Sequence, residues 1–334
     1  MCGMEFSMYF KTKIMTKDTK LYSGVLFAGL MSFMMFASYS YSDKDVNVKN
    51  PNPETTATPS TTSSATTLPQ IIRAPNLEKS FSFANETVPT ENFDVRERLD
   101  FELLKNSYYH SSTIVAIKRA KRYFPVIERI LAENGVPDDF KYLAIAESNL
   151  SNAISPAGAK GVWQFMPKTA QAYGLFVSQE IDERYHLEKA TKAACKYLKE
   201  YKERFGTWTK AAAAYNMGGT RLSRDIRAQK GNSYYDLNLN SETSRYVFRI
   251  IALKEIVSNP SAFGFQIDDH EKYPPMDDFI NVVVDQTVES WADFAQKNGI
   301  SYRTLKVWNP WLINTKLTNN RRKEFLIKIP KQKF

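Results

Sequence analysis

The chain has 334 residues, 43% of them hydrophobic and 24% charged, with a net charge of +9. That balance excludes a wholly disordered chain and a protein of many membrane spans, and leaves room for one sizeable domain with attachments. The positive excess points to an anionic partner or surface without choosing among nucleic acid, acidic lipid and cell-wall polyanion.

The first segment, residues 1–42, has a basic start (Lys11, Lys13, Lys17, Lys20), an apolar run from Leu21 to Ala37 and small residues before Asp43. This is the pattern of a secretory signal, with Ser40 to Ser42 as a cleavage region, and predicts export to the periplasm or cell envelope. The run is also at the lower bound of a membrane-spanning helix, so an uncleaved anchor and membrane association through the N-terminus stay open. Cys2 lies in this segment and Cys195 in a helical run, so the mature chain has no internal disulfide and Cys195 reads as a buried, inert thiol. The histidines His110, His186 and His270 are far apart, and no metal or cofactor is expected.

Residues 43–92 are rich in Pro, Thr, Ser and Asn and poor in large apolar side chains, the composition of a disordered tether. Folded sequence is expected from about residue 93 to 260. Helical spacing recurs over Val95 to Leu104 and Ile114 to Tyr123, and again from Pro125, read as a helix-starting proline, to a Gly135 stop. Further helices are expected after Pro137, from Pro167 to Gly174, and over Leu187 to Phe205, Thr209 to Tyr215 and Glu242 to Val257. Strand signals are nearly absent, so this domain is mostly α.

One of these helices carries the residue of greatest interest. Phe140, Leu143, Ala144 and Glu147 fall at i, i+3, i+4 and i+7, so a helix lines them along one face and puts a carboxyl group on the apolar stripe. Desolvation there raises its pKa and keeps it protonated near neutral pH, the state a general acid needs. Behind it runs Ser155 to Pro167, rich in small residues, with Gly158, Gly161, Gln164 and Met166. The glycines permit a loop that folds back on the helix and lines a cleft with hydrogen-bonding side chains.

Three blocks, Glu147-Ser148, then Ser155 to Ala170 with Gly158, Gly161, Gln164, Met166 and Thr169, then Tyr215-Asn216 with Gly218, agree in order and spacing with one known pattern. The chain resembles the soluble-type lytic transglycosylases, relatives of goose-type lysozyme, and among them the membrane-bound lytic murein transglycosylase D group, from near Leu99 to about Val257. The resemblance implies a lysozyme-like helical catalytic domain and a substrate of peptidoglycan glycan strands. It carries the catalytic role to Glu147 and substrate-binding roles to Ser148, Ser155, Gln164, Met166, Tyr215, Asn216 and Tyr246. Tyr215 would hold Glu147, while Ser155, Gln164 and Asn216 would orient an N-acetyl group. The Asp182 to Arg184 turn is read as a structural ion pair.

Residues 276–334 differ in character. Asn281 to Val284 and Phe325 to Pro330 read as strands around a helix from Thr287 to Gly299 and a second one near Asn309, a small α+β unit that resembles a divergent LysM module. Its first turn has Asp285-Gln286 where such modules carry Gly-Asp, and its Arg321-Arg322-Lys323 tail reads as a solvated face.

Ordinary glycosidases use two carboxylates, whereas only Glu147 is well placed near the motif. The resemblance therefore implies cleavage without water: Glu147 alone acts as acid and base, and the product ends in 1,6-anhydro-N-acetylmuramic acid. Two alternatives stand beside it: a hydrolytic muramidase using a second carboxylate such as Asp182 or Asp225, and a non-catalytic peptidoglycan-binding protein. Nucleic acid is not expected as a partner of an exported chain.

Overall fold

The protein is described by a computed structural model over residues 73–332. The N-terminal signal or anchor segment and the tether up to residue 72 lie outside the described residues.

From residue 73 the expected tether is already structure. Ser82–Phe83 (β1) and Glu86–Thr87 (β2) form a tight antiparallel hairpin whose turn puts Ala84 and Asn85 at positive φ. Phe81, Phe83, Ala84 and Val88 are buried in the main core. The composition argument fails for this stretch because four apolar side chains suffice when a preformed helical surface receives them. Asp139 helps to seat the hairpin, accepting from the Ala84 amide at 2.7 Å and from Lys254 Nζ at 2.8 Å.

The helical domain consists of α1 (Phe93–Tyr108), α2 (His110–Glu133), α3 (Phe140–Ser148), α4 (Pro167–Ala172), α5 (Leu187–Phe205), α6 (Trp208–Met217), α7 (Gly219–Gln229) and α8 (Ser241–Ser258). Side-chain caps at Asn92, Thr207 and Asn240 receive the free amides of α1, α6 and α8. The central helix is α8, with α1, α3 and α6 packed around it. Ala211 to Ala214 of α6 are fully buried, small enough for its close approach to α5 and α8.

One expectation needs correction, and one helix was not expected. Pro125 does not start a helix; it lies inside α2, which runs through it. The lost backbone bond is tolerated because Ala116 and Ala120 before it, and Ile127, Ile130 and Leu131 after it, keep one continuous buried face. Gly218 and Gly219 stop α6 but also begin α7, a strongly amphipathic helix that the polar composition of 219–229 concealed.

The C-terminal module pairs Phe279–Val284 (β3) antiparallel with Phe325–Pro330 (β4), in register Phe279 with Pro330 through Val284 with Phe325. Between them lie α9 (Trp291–Lys297) and α10 (Tyr302–Trp308), capped by Ser290 and Ser301. The first helix is shorter than its expected span because Ser290 is its cap and Val288 is bridged to Leu317. Trp291, Leu305, Trp311, Phe325 and Ile327 form the module's core, which also takes in Ile181 from the helical domain.

That shared residue marks how the module is docked. The Asp182 amide donates to Trp311 O at 2.9 Å and the Ile313 amide to Glu180 O at 3.0 Å, a short strand-like pairing across the junction. Glu180 accepts from the Thr318 amide and hydroxyl, Lys328 pairs with Glu188, and His186 stacks on Trp311. No helix among the described residues is long and apolar enough to cross a membrane.

Candidate active site

Phe140, Leu143 and Ala144 are buried along the face of α3 that the spacing predicted, and Glu147 follows them half-buried at the helix end. Asn149 ends the helix in the left-handed conformation, its carbonyl held by Arg119 Nη1 at 2.8 Å. Burial pushes the Glu147 carboxyl up to about 7, and the nearby Glu242 charge adds to the rise. A hydrogen bond from the Tyr246 hydroxyl to Oε1 and the charge of Arg249 oppose it.

The loop after α3 is rigidly organised. Lys160 bridges both Ile154 and Phe165, Gly161 N donates to Ala153 O at 3.0 Å, and Trp163 Nε1 donates to Thr191 Oγ1 at 2.9 Å. Arg184 clamps the loop from behind: Nη1 donates to Gly158 O at 3.0 Å and to Phe165 O at 3.2 Å, while Asp182 binds its Nε and Nη2 at 2.8 and 2.7 Å. Both partners are buried, at 1% and 3% exposure, so the pair is structural. Gly161 has φ +80, and a Cβ there would stand 2.0 Å from Arg184 O, so only glycine lets the two backbones meet.

The expected site residues separate into two groups. Tyr246 touches Glu147 directly, and Tyr215 lies near enough for the Glu147 charge to help hold its hydroxyl protonated. Tyr215, however, donates to Trp163 O at 2.6 Å, so the hydrogen bond to the acid comes from Tyr246 and not from Tyr215. The remaining residues make other contacts. Ser148 is buried and donates to Val162 O at 2.8 Å, tying α3 to the loop. Ser155 Oγ accepts from Ala159 N at 3.0 Å, and Gln164, at φ +49, donates to Gly161 O at 2.8 Å and Ala153 O at 3.1 Å. Met166 is exposed at the start of α4. Asn216 donates to Glu242 Oε1 at 3.1 Å and accepts from Thr243 Oγ1 at 2.7 Å.

Glu242 and Arg249 were missed in the sequence, although the signal was there: with Tyr246 they stand at i, i+7 and i+4, one face of α8. Of the two carboxylates offered for hydrolysis, Asp182 is locked by Arg184 and by Lys160 at 3.5 Å, and Asp225 pairs with Arg224. Cys195 is fully buried, which pushes its thiol up to about 12. Among the described residues no cluster of three His, Cys, Asp or Glu side chains could hold a metal.

Residues 124–238 match the transglycosylase SLT domain, and residues 280–333 the soluble lytic transglycosylase C-terminal LysM-like domain. Membrane-bound lytic murein transglycosylase D of Escherichia coli K12 is 30% identical over 225 residues, 66% of this chain and 48% of that protein. The chain thus spans about half the length of that relative. Among solved structures, the 70 kDa soluble lytic transglycosylase of Escherichia coli is similar over 45% of this chain and 26% of its own, at 22% identity and a TM-score of 0.37. An inactive mutant of lytic transglycosylase Slt from Pseudomonas aeruginosa is similar over 46% of this chain and 26% of its own, at 21% identity and a TM-score of 0.35.

Proposed function

We propose that this chain, which carries a transglycosylase SLT domain followed by a soluble lytic transglycosylase C-terminal LysM-like domain, is a peptidoglycan lytic transglycosylase of the cell envelope with Glu147 as its single acid/base. The observation that carries the reading is the Glu147 carboxyl itself, desolvated, raised to about 7 and held by Tyr246 opposite a clamped loop.

Glu147 in its protonated form donates to the oxygen of the β-1,4 bond between N-acetylmuramic acid and N-acetylglucosamine, and the C1–O bond breaks. The substrate's N-acetyl group stabilises the positive charge at C1. Glu147, now ionised, accepts the proton of the C6 hydroxyl as O6 bonds to C1, leaving a 1,6-anhydro end and a reprotonated acid. No water enters, and the gain comes from holding O6 against C1. Ser155, Gln164 and Asn216 orient the N-acetyl group, and Ser148 and Met166 complete the cleft wall.

Mass spectrometry of muropeptides released from purified peptidoglycan tests this. Anhydro ends from the full chain, abolished in Glu147→Gln, are expected. Reducing ends would overturn the mechanism in favour of hydrolysis, a reading supported by the acidic neighbour of Glu147, Glu242. No release from either protein would leave wall binding.

A further inference from the structure

The junction between the helical domain and the C-terminal module holds an open cleft of about 130 Å³, whose lining does not include Glu147. Three half-buried aromatic side chains from three different elements line it: Tyr123 of α2, Tyr185 of the turn before α5, and Trp308 at the end of α10. The cleft is preformed, because the paired backbones at Asp182 and Trp311 and the Lys328–Glu188 ion pair hold its two walls together.

The charges in the cleft cancel. Arg122 and Lys328 are balanced by Glu188 and Asp277, with Lys328 and Glu188 already paired to each other. The lining therefore offers no excess of either sign to select an ion, although the chain as a whole is strongly basic. Among the polar side chains of the lining, the exposed Asn152 amide and the exposed Asp277 carboxylate have no protein partner among the described residues. Aromatic walls with a few isolated hydrogen-bonding groups and balanced charges suit an uncharged amphipathic group that packs one face against the rings and leaves the rest in solvent. A pyranose ring is such a group: its C–H face packs on an aromatic ring while its hydroxyl and acetamido edges seek amides and carboxylates.

We propose that this cleft is a second glycan site, taking uncharged β-1,4-linked N-acetylhexosamine units in a position that only the joined domains create. The assignment of a glycan rests on the proposed function. The site adjoins the loop after α3, since Asn152 of that loop and Val162, which accepts from Ser148, are both in its lining.

The full chain carrying Glu147→Gln, which removes turnover, is titrated with a soluble N-acetylglucosamine hexamer while the five tryptophan indole N–H signals are followed by NMR. The signal lost in Trp308→Leu identifies Trp308. That signal is expected to shift on titration, and Asn152→Ala, on the surface and without a partner to lose, is expected to weaken the titration several-fold. An unmoved Trp308 signal, unchanged affinity in Asn152→Ala, or a shift produced instead by free stem peptide overturns the glycan site. The two readings fail separately. Release of anhydro muropeptides with Trp308 unmoved overturns the cleft alone, whereas a Trp308 shift in a chain that releases nothing keeps the cleft and overturns the proposed function.

Discussion

Glu242 and Tyr246 stand one helical turn apart on α8 and act on the Glu147 carboxyl in opposite directions, the first through its charge and the second through a hydrogen bond. Glu242 raises the pKa of the Glu147 carboxyl and Tyr246 lowers it, so beyond the rise due to burial the group is adjusted from a single helix face that also carries Arg249.

Glu242→Gln removes the neighbouring negative charge and should lower the pKa of Glu147 from about 7. The alkaline limb of the activity profile, which reports loss of the acid's proton, moves to lower pH. The profile of kcat/KM against pH for the wild type and the variant checks this.

Tyr246→Phe works the other way. The hydrogen bond from Tyr246 favours the ionised carboxylate, so its loss raises the Glu147 pKa further and moves the alkaline limb to higher pH. The Tyr246 side chain is nearly fully buried, and Phe keeps its ring, so the fold should hold. A shift in the same direction as that of Glu242→Gln would contradict the arrangement.

The same pKa makes a stability prediction. The Glu147 carboxyl is raised in the folded protein above its unfolded value of 4.5, so its contribution is fully present below pH 4.5 and is lost as pH rises to about 7. Gln at this position has no such loss. Relative to wild type, Glu147→Gln should gain up to about 3 kcal/mol between pH 4.5 and 8 while losing all turnover. Urea unfolding of both proteins at the two pH values measures the gain.

Gly161 and Gly158 allow a matched comparison. Both lie at positive φ, but a Cβ at Gly158 meets nothing within 4 Å, whereas at Gly161 it collides with the Arg184 carbonyl. Gly158→Ala should cost about 1 kcal/mol, the strain of the left-handed backbone alone. Gly161→Ala should cost clearly more and lower kcat, because the loop must leave its clamp. Thermal melting with turnover on each variant distinguishes them.

Much of this was legible in the sequence. The spacing of Phe140, Leu143, Ala144 and Glu147 predicted the buried face of α3 that the structure shows, since helical periodicity orients those side chains, while the roles of Tyr215 and Asn216 came from the family resemblance. What stayed hidden depends on partners distant in the chain. Pro125 reads as a helix start until α5 and α8 bury both of its flanks. Phe81 and Phe83 read as strays in a polar tether until Asp139 receives the hairpin turn. Glu242 reads as a first-turn acid until α3 is brought against α8.

The least legible relation is the path from the C-terminal module to the acid, and it makes the last prediction. Leu312 is buried against Ile181; the next residue, Asp182, binds Arg184, and Arg184 holds the carbonyls of Gly158 and Phe165 in the loop behind Glu147. Leu312→Ala opens a cavity at the first of these contacts and should cost about 2–5 kcal/mol of stability. Because the loop is positioned through that contact, kcat should also fall on a short soluble glycan fragment that occupies only the Glu147 cleft. A module that served solely to bind polymer would raise KM on intact peptidoglycan and leave kcat on the short fragment unchanged. Leu312→Ile, which refills most of the space, should restore kcat. Measuring both constants on both substrates for the three proteins, at a temperature where all are folded, separates positioning from tethering. A normal kcat for Leu312→Ala on the short fragment would break the path at its first step.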